Sequence, residues 1–294
     1  MTMRDAIARF TRDGMTIAMS CCLEPLIPFA AGHELIRQGR RDLELVGPIS
    51  DSLFDQLVGA GIVRRVTAAW AGNVSEGLGH CYRRAAENGE PHRIEIHDHS
   101  NFSIALALWA AAWGSPHIDT VTLIGSDILR SNPNLSVVDG TVRVAAVKPD
   151  LTILHVQRAD AHGRAHAWGP LGIAEEAALA ADGVILQCEE IVDEAVTLSD
   201  PNRILVPETK VVAVVHAPGG AHPAPVQGYW KRDHAYMRMY AGRSRSRDGY
   251  EAWLREWVLD VADRGAYLDK LGTEAEQLRI RGRKESASVN YADE

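Results

Sequence analysis

Residues 71–77, Ala-Gly-Asn-Val-Ser-Glu-Gly, carry groups that can bind a polar ligand. They join a predicted strand to a predicted helix, and ligands of open α/β sheets bind beyond the carboxyl ends of the strands. Asn73 supplies an amide, Ser75 a hydroxyl, and the start of the following helix supplies free backbone N–H groups. We predict a binding function for this loop. The alternative is a plain turn and helix cap, where Asn and Ser are also common.

Two further segments combine small and polar residues at predicted strand ends or helix starts. Ser100-Asn101-Phe102 precedes an alanine-rich helix, and Gly125-Ser126 follows the apolar residues 121–124, which predict a strand. Both positions suit the wall of a ligand pocket. Helix capping is the alternative for each of them.

Acidic residues and histidines that could suggest a metal site crowd together at Glu95, His97, Asp98 and His99. Alternation along a strand sends neighbouring side chains to opposite faces, and no HExxH motif or cysteine pair accompanies them. We therefore predict no metal and no permanently bound cofactor. Cys21 and Cys22 have no base beside them in the sequence, so a nucleophilic thiol is not expected.

The composition is typical of an acidic globular enzyme. The chain has 294 residues, 46% of them hydrophobic, and a formal net charge of −8. An excess of acidic residues argues against a nucleic-acid partner, because binding phosphates requires Lys and Arg on one face. Charges within residues 1–13 exclude a signal-peptide apolar run, and no uncharged stretch is long enough to span a membrane. With four cysteines and no CxxC pair, we expect a cytoplasmic protein.

Strand and helix patterns alternate along the chain. Strands are expected at residues 15–19, 43–46, 63–70, 93–96, 121–124, 142–147, 151–157, 183–187 and 211–216, and helices at 3–10, 29–38, 53–58, 79–87, 104–113, 173–181 and 251–271. This alternation predicts an α/β fold with an open, largely parallel sheet covered by helices on both faces. We expect one domain over residues 1–272 and a polar, mobile tail at 273–294.

Several stretches in a fixed order resemble the α subunits of family I coenzyme A transferases, in particular the glutaconate CoA-transferase type. The opening DAIARF and DGMTIA is followed by HELIRQGRRDLELVG, WAGNVSEGLGHCYRRAAENG, KPDLTILHVQRADAHGRAHAWGP, CEEIVDE, APGGAHP and EWVLDVADRGAYLDKLG. The resemblance covers residues 3–272. Each stretch alone is an ordinary α/β fragment, so the specificity lies in their number and order.

The resemblance implies one half of a two-subunit enzyme. A homologous β subunit is expected, giving an αβ dimer or an (αβ)2 tetramer, and that subunit would carry a glutamate that accepts CoA as a thioester. An acyl-CoA and a carboxylate would be the substrates, with coenzyme A present only as a substrate moiety. Covalent transfer between acyl bonds of similar energy needs no metal. Glu87-Asn88-Gly89 looks like the family's nucleophile motif, but it ends a predicted helix, where Asn-Gly is an ordinary stop.

The resemblance also implies which residues contact the substrate. The family's α-side contribution matches Gly72, Asn73, Val74 and Ser75, whose loop would hold the thioester or its oxyanion. Ser100, Asn101, Phe102, Gly125 and Ser126 would line the acyl pocket.

One departure separates this chain from the family pattern. Ser20-Cys21-Cys22 stands after the first strand, where relatives have a glycine pair. Bulkier residues would reshape the acyl pocket. An acyl-CoA hydrolase or decarboxylase on the same scaffold is therefore the alternative function. A small-molecule sensor is the alternative from a different class, because related folds bind sugar phosphates.

Overall fold

The computed structural model describes residues 1–282 and is built around a large, mostly parallel sheet. The strands are β1 Thr16–Ala18, β2 Leu43–Ile49, β3 Val63–Trp70, β4 Gly72–Asn73, β5 Gly77–Leu78, β6 Glu95–Asp98, β7 His117–Thr120, β8 Leu135–Val138, β9 Thr141–Ala145, β10 Leu151–Ala159, β11 Ala165–His166, β12 Gly183–Ile191 and β13 Val211–His216. The α-helices are α1 Met3–Phe10, α2 Phe29–Arg37, α3 Ser52–Gly59, α4 His80–Arg83, α5 Asn101–Ala112, α6 Ile128–Ser131, α7 Ala174–Ala180, α8 Glu194–Leu198, α9 His234–Ser244, α10 Arg247–Leu254, α11 Arg264–Leu271 and α12 Thr273–Leu278.

The strand order of the central sheet reverses beside β1. The order is β13-β12-β10-β1-β2-β3-β6, all neighbours in this series are parallel, and β11 adds antiparallel to β10. From β1 the chain builds one half of the sheet through β2, β3 and β6, then returns to build the other half from β10. Ligands of such sheets bind at the carboxyl ends of the strands near the reversal.

Both faces of the sheet are buried, as the expected α/β fold requires. Successive residues of one strand enter different cores: Ile17 packs under α1, α2 and α3, whereas Ala18 packs under α5 and α7. The same alternation places Ile153 in the first core and Leu154 in the second. Burying one such aliphatic side chain contributes about 1.5–3 kcal/mol, so the two cores fix the strand register.

Side-chain caps explain where several helices begin. Thr2 caps α1 by accepting a hydrogen bond from the N–H of Asp5, and Asp263 caps α11 by accepting one from the N–H of Ala266. A cap satisfies one of the N–H groups that have no partner inside the helix, and its loss costs about 1 kcal/mol.

Two sequence expectations about secondary structure are wrong. Residues 121–124 form turns rather than a strand, because pairing of β7 with β9 ends at Thr120 opposite Val142. Their apolar side chains are not buried, and Val121 is 72% exposed. The single helix expected over residues 251–271 is two helices, α10 and α11, separated by a π-helical turn and a bend after Asp260.

The carboxyl-terminal part of the described chain contacts the domain. Residues 273–278 form α12, and the carbonyl of Leu278 accepts a hydrogen bond from the N–H of Lys231. The rest of the predicted tail, residues 283–294, lies outside the described residues. Within residues 1–282, none of the helices combines the length and the apolar character needed to cross a membrane.

Candidate active site

The loops that follow β1, β2 and β3 lie side by side at the carboxyl edge of the sheet. Ala18 pairs with Val46, and Gly47 pairs with Ala68, so the three strands are in parallel register. The loop after β3 contains residues 71–77 and folds into the small hairpin of β4 and β5. This placement fulfils the geometric requirement of the predicted ligand loop.

The hairpin is held by the side chain of Asn73. This residue is buried, its Oδ1 accepts a hydrogen bond from the N–H of Ser75 at 3.1 Å, and its Nδ2 donates to the carbonyl of Met237 at 3.0 Å. Gly72 is required by close packing, because a Cβ there would lie 2.6 Å from the nitrogen of Gly79. The geometry gives Asn73 and Gly72 the role of shaping the loop.

An ion pair connects this hairpin to the loop after β2. Asp51 is fully buried, and its Oδ2 accepts a hydrogen bond from Nη2 of Arg232 at 2.6 Å. Its Oδ1 accepts from the N–H of Val74 at 3.1 Å. Arg232 continues to the exposed end of the hairpin, where its Nε donates to Oγ of Ser75 at 3.2 Å. Asp51 therefore positions both Arg232 and the loop.

Burial raises the pKa of Asp51, while Arg232 and the N–H of Val74 act in the opposite direction. A buried carboxylate without its cation would be costly, so Asp51 and Arg232 depend on each other. The Nη1 atom of Arg232 is buried and has no hydrogen-bond partner among the described residues.

The backbone N–H groups of residues 74–76 are already used within the protein. They donate to Asp51, to the side chain of Asn73 and to the carbonyl of Asn73, respectively. The group at the exposed end of the hairpin that a substrate can reach is therefore the hydroxyl of Ser75, which can donate a hydrogen bond to a carbonyl or carboxylate oxygen. The guanidinium of Arg232 is paired with this hydroxyl and is largely buried, with its side chain 11% exposed.

The segment of Ser100, Asn101 and Phe102 lies one strand further along the same edge. It follows β6, whose Asp98 pairs with Ala68 of β3. Ser100 forms a capping box with Ser103, in which each hydroxyl accepts a hydrogen bond from the other residue's N–H. Asn101 and Phe102 are exposed. The structure thus gives Ser100 a capping role and leaves its neighbours open to solvent.

Gly125 and Ser126 lie in a turn outside the central sheet. They follow β7, which belongs to a separate antiparallel sheet of β7, β9 and β8, rather than the strand expected at residues 121–124. Gly125 has a φ of 82°, a conformation that glycine adopts readily. The turn leads into α6, and Asn132 at the end of that helix donates a hydrogen bond to the carbonyl of Asp98.

The loop after β1 contains Ser20, Cys21 and Cys22. Ser20 is fully buried and has a φ of 58°, a region that favours glycine. Cys21 and Cys22 are buried, and burial raises the pKa of both thiols, that of Cys22 to about 12. Neither thiol is suited to act as a nucleophile at neutral pH.

Glu87 has the structural position expected of a helix end. It lies in the π-helical turn Arg84–Asn88, and Gly89 follows in the left-handed conformation. In the group of acidic residues and histidines at positions 95–99, on β6 and directly after it, His97 pairs with Glu95, while His99 contacts Ser103. Within residues 1–282, no group of three or more His, Cys, Asp or Glu side chains is arranged to hold a metal ion.

Sequence reasoning missed Asp51 and Arg232. Asp51 follows the predicted strand 43–46 and precedes a predicted helix, a position equivalent to that of residues 71–77. The same strand-to-helix pattern could therefore have identified it. Arg232 lies between β13 and α9, in a segment for which the sequence predicted no element. It follows Asp51 by 181 residues, and nothing local indicates their contact.

Comparison with known proteins decides the family. The family model described as Coenzyme A transferase matches residues 1–217. This chain belongs to the coenzyme A transferase family. It is 38% identical to the A-type chain of 3-oxoadipate CoA-transferase from Pseudomonas knackmussii, in an alignment that covers 92% of this chain and 97% of that one.

Solved structures of a CoA-transferase and of a decarboxylase have the same fold. The glutaconate coenzyme A-transferase of Acidaminococcus fermentans superposes with a TM-score of 0.90 at 28% identity, over 98% of both chains. A cysteine-to-serine variant of the decarboxylase AibA/AibB superposes with a TM-score of 0.73 at 27% identity, over 86% of this chain and 97% of the other. The expected fold and family are confirmed, and the chain is an α-type CoA-transferase subunit.

Proposed function

We propose that this chain forms one half of an active site that moves CoA between an acyl-CoA and a carboxylic acid. The observation that carries the proposal is the alignment with the A-type chain of a CoA-transferase along nearly the whole of both chains. A β-type subunit would complete the site, in an αβ dimer or an (αβ)2 tetramer. Its glutamate would accept CoA, which enters and leaves as part of the substrates.

In this proposal the chain's own residues bind and orient the acyl group. The hydroxyl of Ser75 donates a hydrogen bond to the thioester or carboxylate oxygen, Arg232 orients this hydroxyl, and Asp51 fixes the guanidinium. Gly72, Asn73 and Val74 maintain the loop. Ser100, Asn101 and Phe102, with Gly125 and Ser126, would form the outer wall of the acyl pocket.

The substrate we propose is a short dicarboxylic or oxo-dicarboxylic acid. The relatives are named for 3-oxoadipate and glutaconate, both dicarboxylates. Ser20, Cys21 and Cys22 at the loop after β1 would set a preference that differs from that for glutaconate. Four buried cysteines without a disulfide fit a reducing, cytoplasmic location. We propose neither a nucleic-acid nor a membrane partner.

The proposal is tested with the purified chain, alone and after co-expression with a β-type subunit. The donors are acetyl-CoA, succinyl-CoA and glutaryl-CoA, with 3-oxoadipate and glutaconate as acceptors. We expect turnover only in the complex. Incubation with donor alone should form a glutamyl-CoA thioester on the β subunit, while the donor's acyl group leaves as a free carboxylate. Robust turnover by the isolated chain would contradict the two-subunit assignment.

A decarboxylase or hydrolase is the second candidate, and the structural similarity to the decarboxylase AibA/AibB favours it. The same experiment separates the two. A transferase becomes sensitive to borohydride and hydroxylamine only after exposure to acyl-CoA, because both reagents attack the thioester. A decarboxylase or hydrolase consumes acyl-CoA without an acceptor and shows no such substrate-dependent inactivation.

A further inference from the structure

A cavity of about 630 Å³ lies away from the candidate active site. It is enclosed by the first turns of α1 and α11, the side of α2 and the end of β13. None of the residues assigned to the candidate active site lines it. Its volume is within the range of small-molecule sites, about 300–1,000 Å³. The lining residues are Met1, Thr2, Met3, Arg4, Ala30, His33, Glu34, Arg37, His216, Ala217, Ala262, Asp263, Arg264 and Gly265.

Arginine side chains dominate the polar lining of this cavity. Arg264 packs over the ring of Tyr267 at 4.0 Å and donates through Nε and Nη2 to the carbonyl of Gly219. Its third nitrogen, Nη1, is buried and has no hydrogen-bond partner among the described residues. Arg37 forms an ion pair with Glu34 at 2.8 Å. Arg4 adds an exposed guanidinium at the mouth.

His33 is the buried polar side chain in the same lining. It is 1% exposed, and its Nε2 is paired with Oε1 of Gln56 at 3.0 Å. Because Nε2 donates to the amide oxygen of Gln56, Nδ1 is an acceptor, and it has no partner among residues 1–282. Burial lowers the pKa of His33 well below its usual value, and Arg264 and Arg37 add to this shift. The imidazole is therefore neutral. The nearby positive charges of Arg264 and Arg37 disfavour its protonation.

Two helix N-termini meet at the cavity. Thr2, Met3 and Arg4 belong to the start of α1, and Asp263, Arg264 and Gly265 belong to the start of α11. Each helix start carries N–H groups without intrahelical partners and a partial positive charge of about half a unit.

The two acidic groups of the lining are already engaged. Glu34 accepts hydrogen bonds from Arg37 and Gln38, and Asp263 accepts one from the N–H of Ala266. Arg4, Arg264 and the two helix starts therefore outweigh the acidic groups. The cavity has the electrostatic character of an anion site.

We propose that this cavity binds the phosphate group of a small molecule. A phosphate presents several acceptor oxygens, which suit guanidinium nitrogens and the N–H groups of a helix start at once. The unpartnered Nη1 of Arg264 gains an acceptor when the site is filled, whereas Nδ1 of His33 is an acceptor and pairs only with the P–OH of a partly protonated phosphate. The phosphate belongs either to coenzyme A or to a separate phosphorylated metabolite, because both present the same chemistry.

Calorimetric titration of the full chain tests the site with three ligands: inorganic phosphate, coenzyme A and succinate. We expect saturable binding of phosphate at one site per chain. If coenzyme A competes with phosphate, its own phosphates occupy the site; if it does not, a separate phosphorylated molecule does. Absence of phosphate binding, or tighter binding of succinate than of phosphate, overturns the proposal.

Variants locate the binding in this cavity. Arg4→Gln removes one exposed charge at a helix start and should weaken phosphate binding about two- to fivefold. Arg264→Lys removes Nη1 and should weaken it about tenfold or more. Arg9→Gln is the matched control, because Arg9 lies on the same helix but outside the cavity. If Arg4→Gln binds phosphate as tightly as the wild type, the location is refuted, even where Arg264→Lys fails to fold.

Discussion

Asp51 and Glu189 are two buried carboxylates at the same edge of the sheet, and they are satisfied in different ways. Glu189 is enclosed by donors of the interior: the N–H of Gly219 at 2.9 Å, Nε1 of Trp230 at 2.8 Å and Nε2 of His155 at 2.9 Å. Asp51 has one N–H donor, that of Val74, and one arginine, Arg232, whose other contact is an exposed serine.

The difference indicates which carboxylate holds the fold and which prepares a site. The network of Glu189 begins and ends in the core, so it ties β10, β12 and the 217–220 loop together. The network of Asp51 passes through the guanidinium of Arg232 and ends at solvent on the hydroxyl of Ser75. Burial alone therefore does not distinguish the two acids; the place where each hydrogen-bond network ends does.

The largest effect on stability is expected for Glu189→Gln. The amide keeps the size of the side chain but turns a donor toward groups that are themselves donors, and breaking a buried charged network costs about 3–5 kcal/mol. Urea unfolding of the purified chain measures this loss. Turnover per folded complex should remain within about twofold of wild type. A stable variant with lost turnover would place Glu189 in the active site instead.

Asp51→Asn should show the opposite pattern, with a smaller loss of stability and a larger loss of turnover than Glu189→Gln. The change leaves the largely buried Arg232 without its counter-charge, but burial already disfavours the charged form of Asp51, so the free energy of unfolding should fall by about 1–3 kcal/mol, less than for Glu189→Gln. Arg232 loses its anchor, so turnover of the assembled complex should fall about tenfold or more. Steady-state kinetics and urea unfolding on the same preparation provide the test. Wild-type turnover would return Asp51 to a purely structural role.

Ser75→Ala should reduce turnover with no measurable loss of stability, since the side chain is exposed. Removing one donor to a developing oxyanion costs about 2.7–4 kcal/mol, and we expect at least a tenfold loss. Asn73→Ala should lower turnover similarly but also loosen the hairpin, which the unfolding midpoint reports. Leu78→Ala, an exposed change in the same hairpin, is the control. Equal kinetics in Ser75→Ala and this control would support the plain-turn alternative.

The smallest effect is expected for Glu87→Gln. Glu87 is exposed and forms an ion pair with Arg83 one helical turn away, a type of interaction that contributes about 0.5 kcal/mol or less. Turnover of the complex and the unfolding midpoint should both stay close to wild type. If turnover is abolished, the thioester-forming glutamate lies in this chain. Asp51 and Glu189 would then act only on residues around that glutamate.

Local patterns in the sequence determined the α/β class and most of the elements. The elements predicted at residues 3–10, 63–70 and 211–216 have the same bounds in the structure. These predictions are correct because burial on one or both faces imposes a repeat of hydrophobic residues that is visible in the local sequence. The same reasoning failed at residues 121–124, where an apolar run lacks a pairing partner, and at residues 251–271, where a bend interrupts one helical stripe.

The candidate site was only partly determined by the sequence. The loop around Asn73 and Ser75 could be predicted, because small and polar residues between a strand and a helix are typical of a loop, whereas its folding into a hairpin could not. Its pairing with Asp51 and Arg232, and the use of its own N–H groups inside the protein, were decided by tertiary structure. Contacts between residues 157 and 181 positions apart leave no periodic signal, since they arise only when the parallel strands bring their carboxyl ends to one edge.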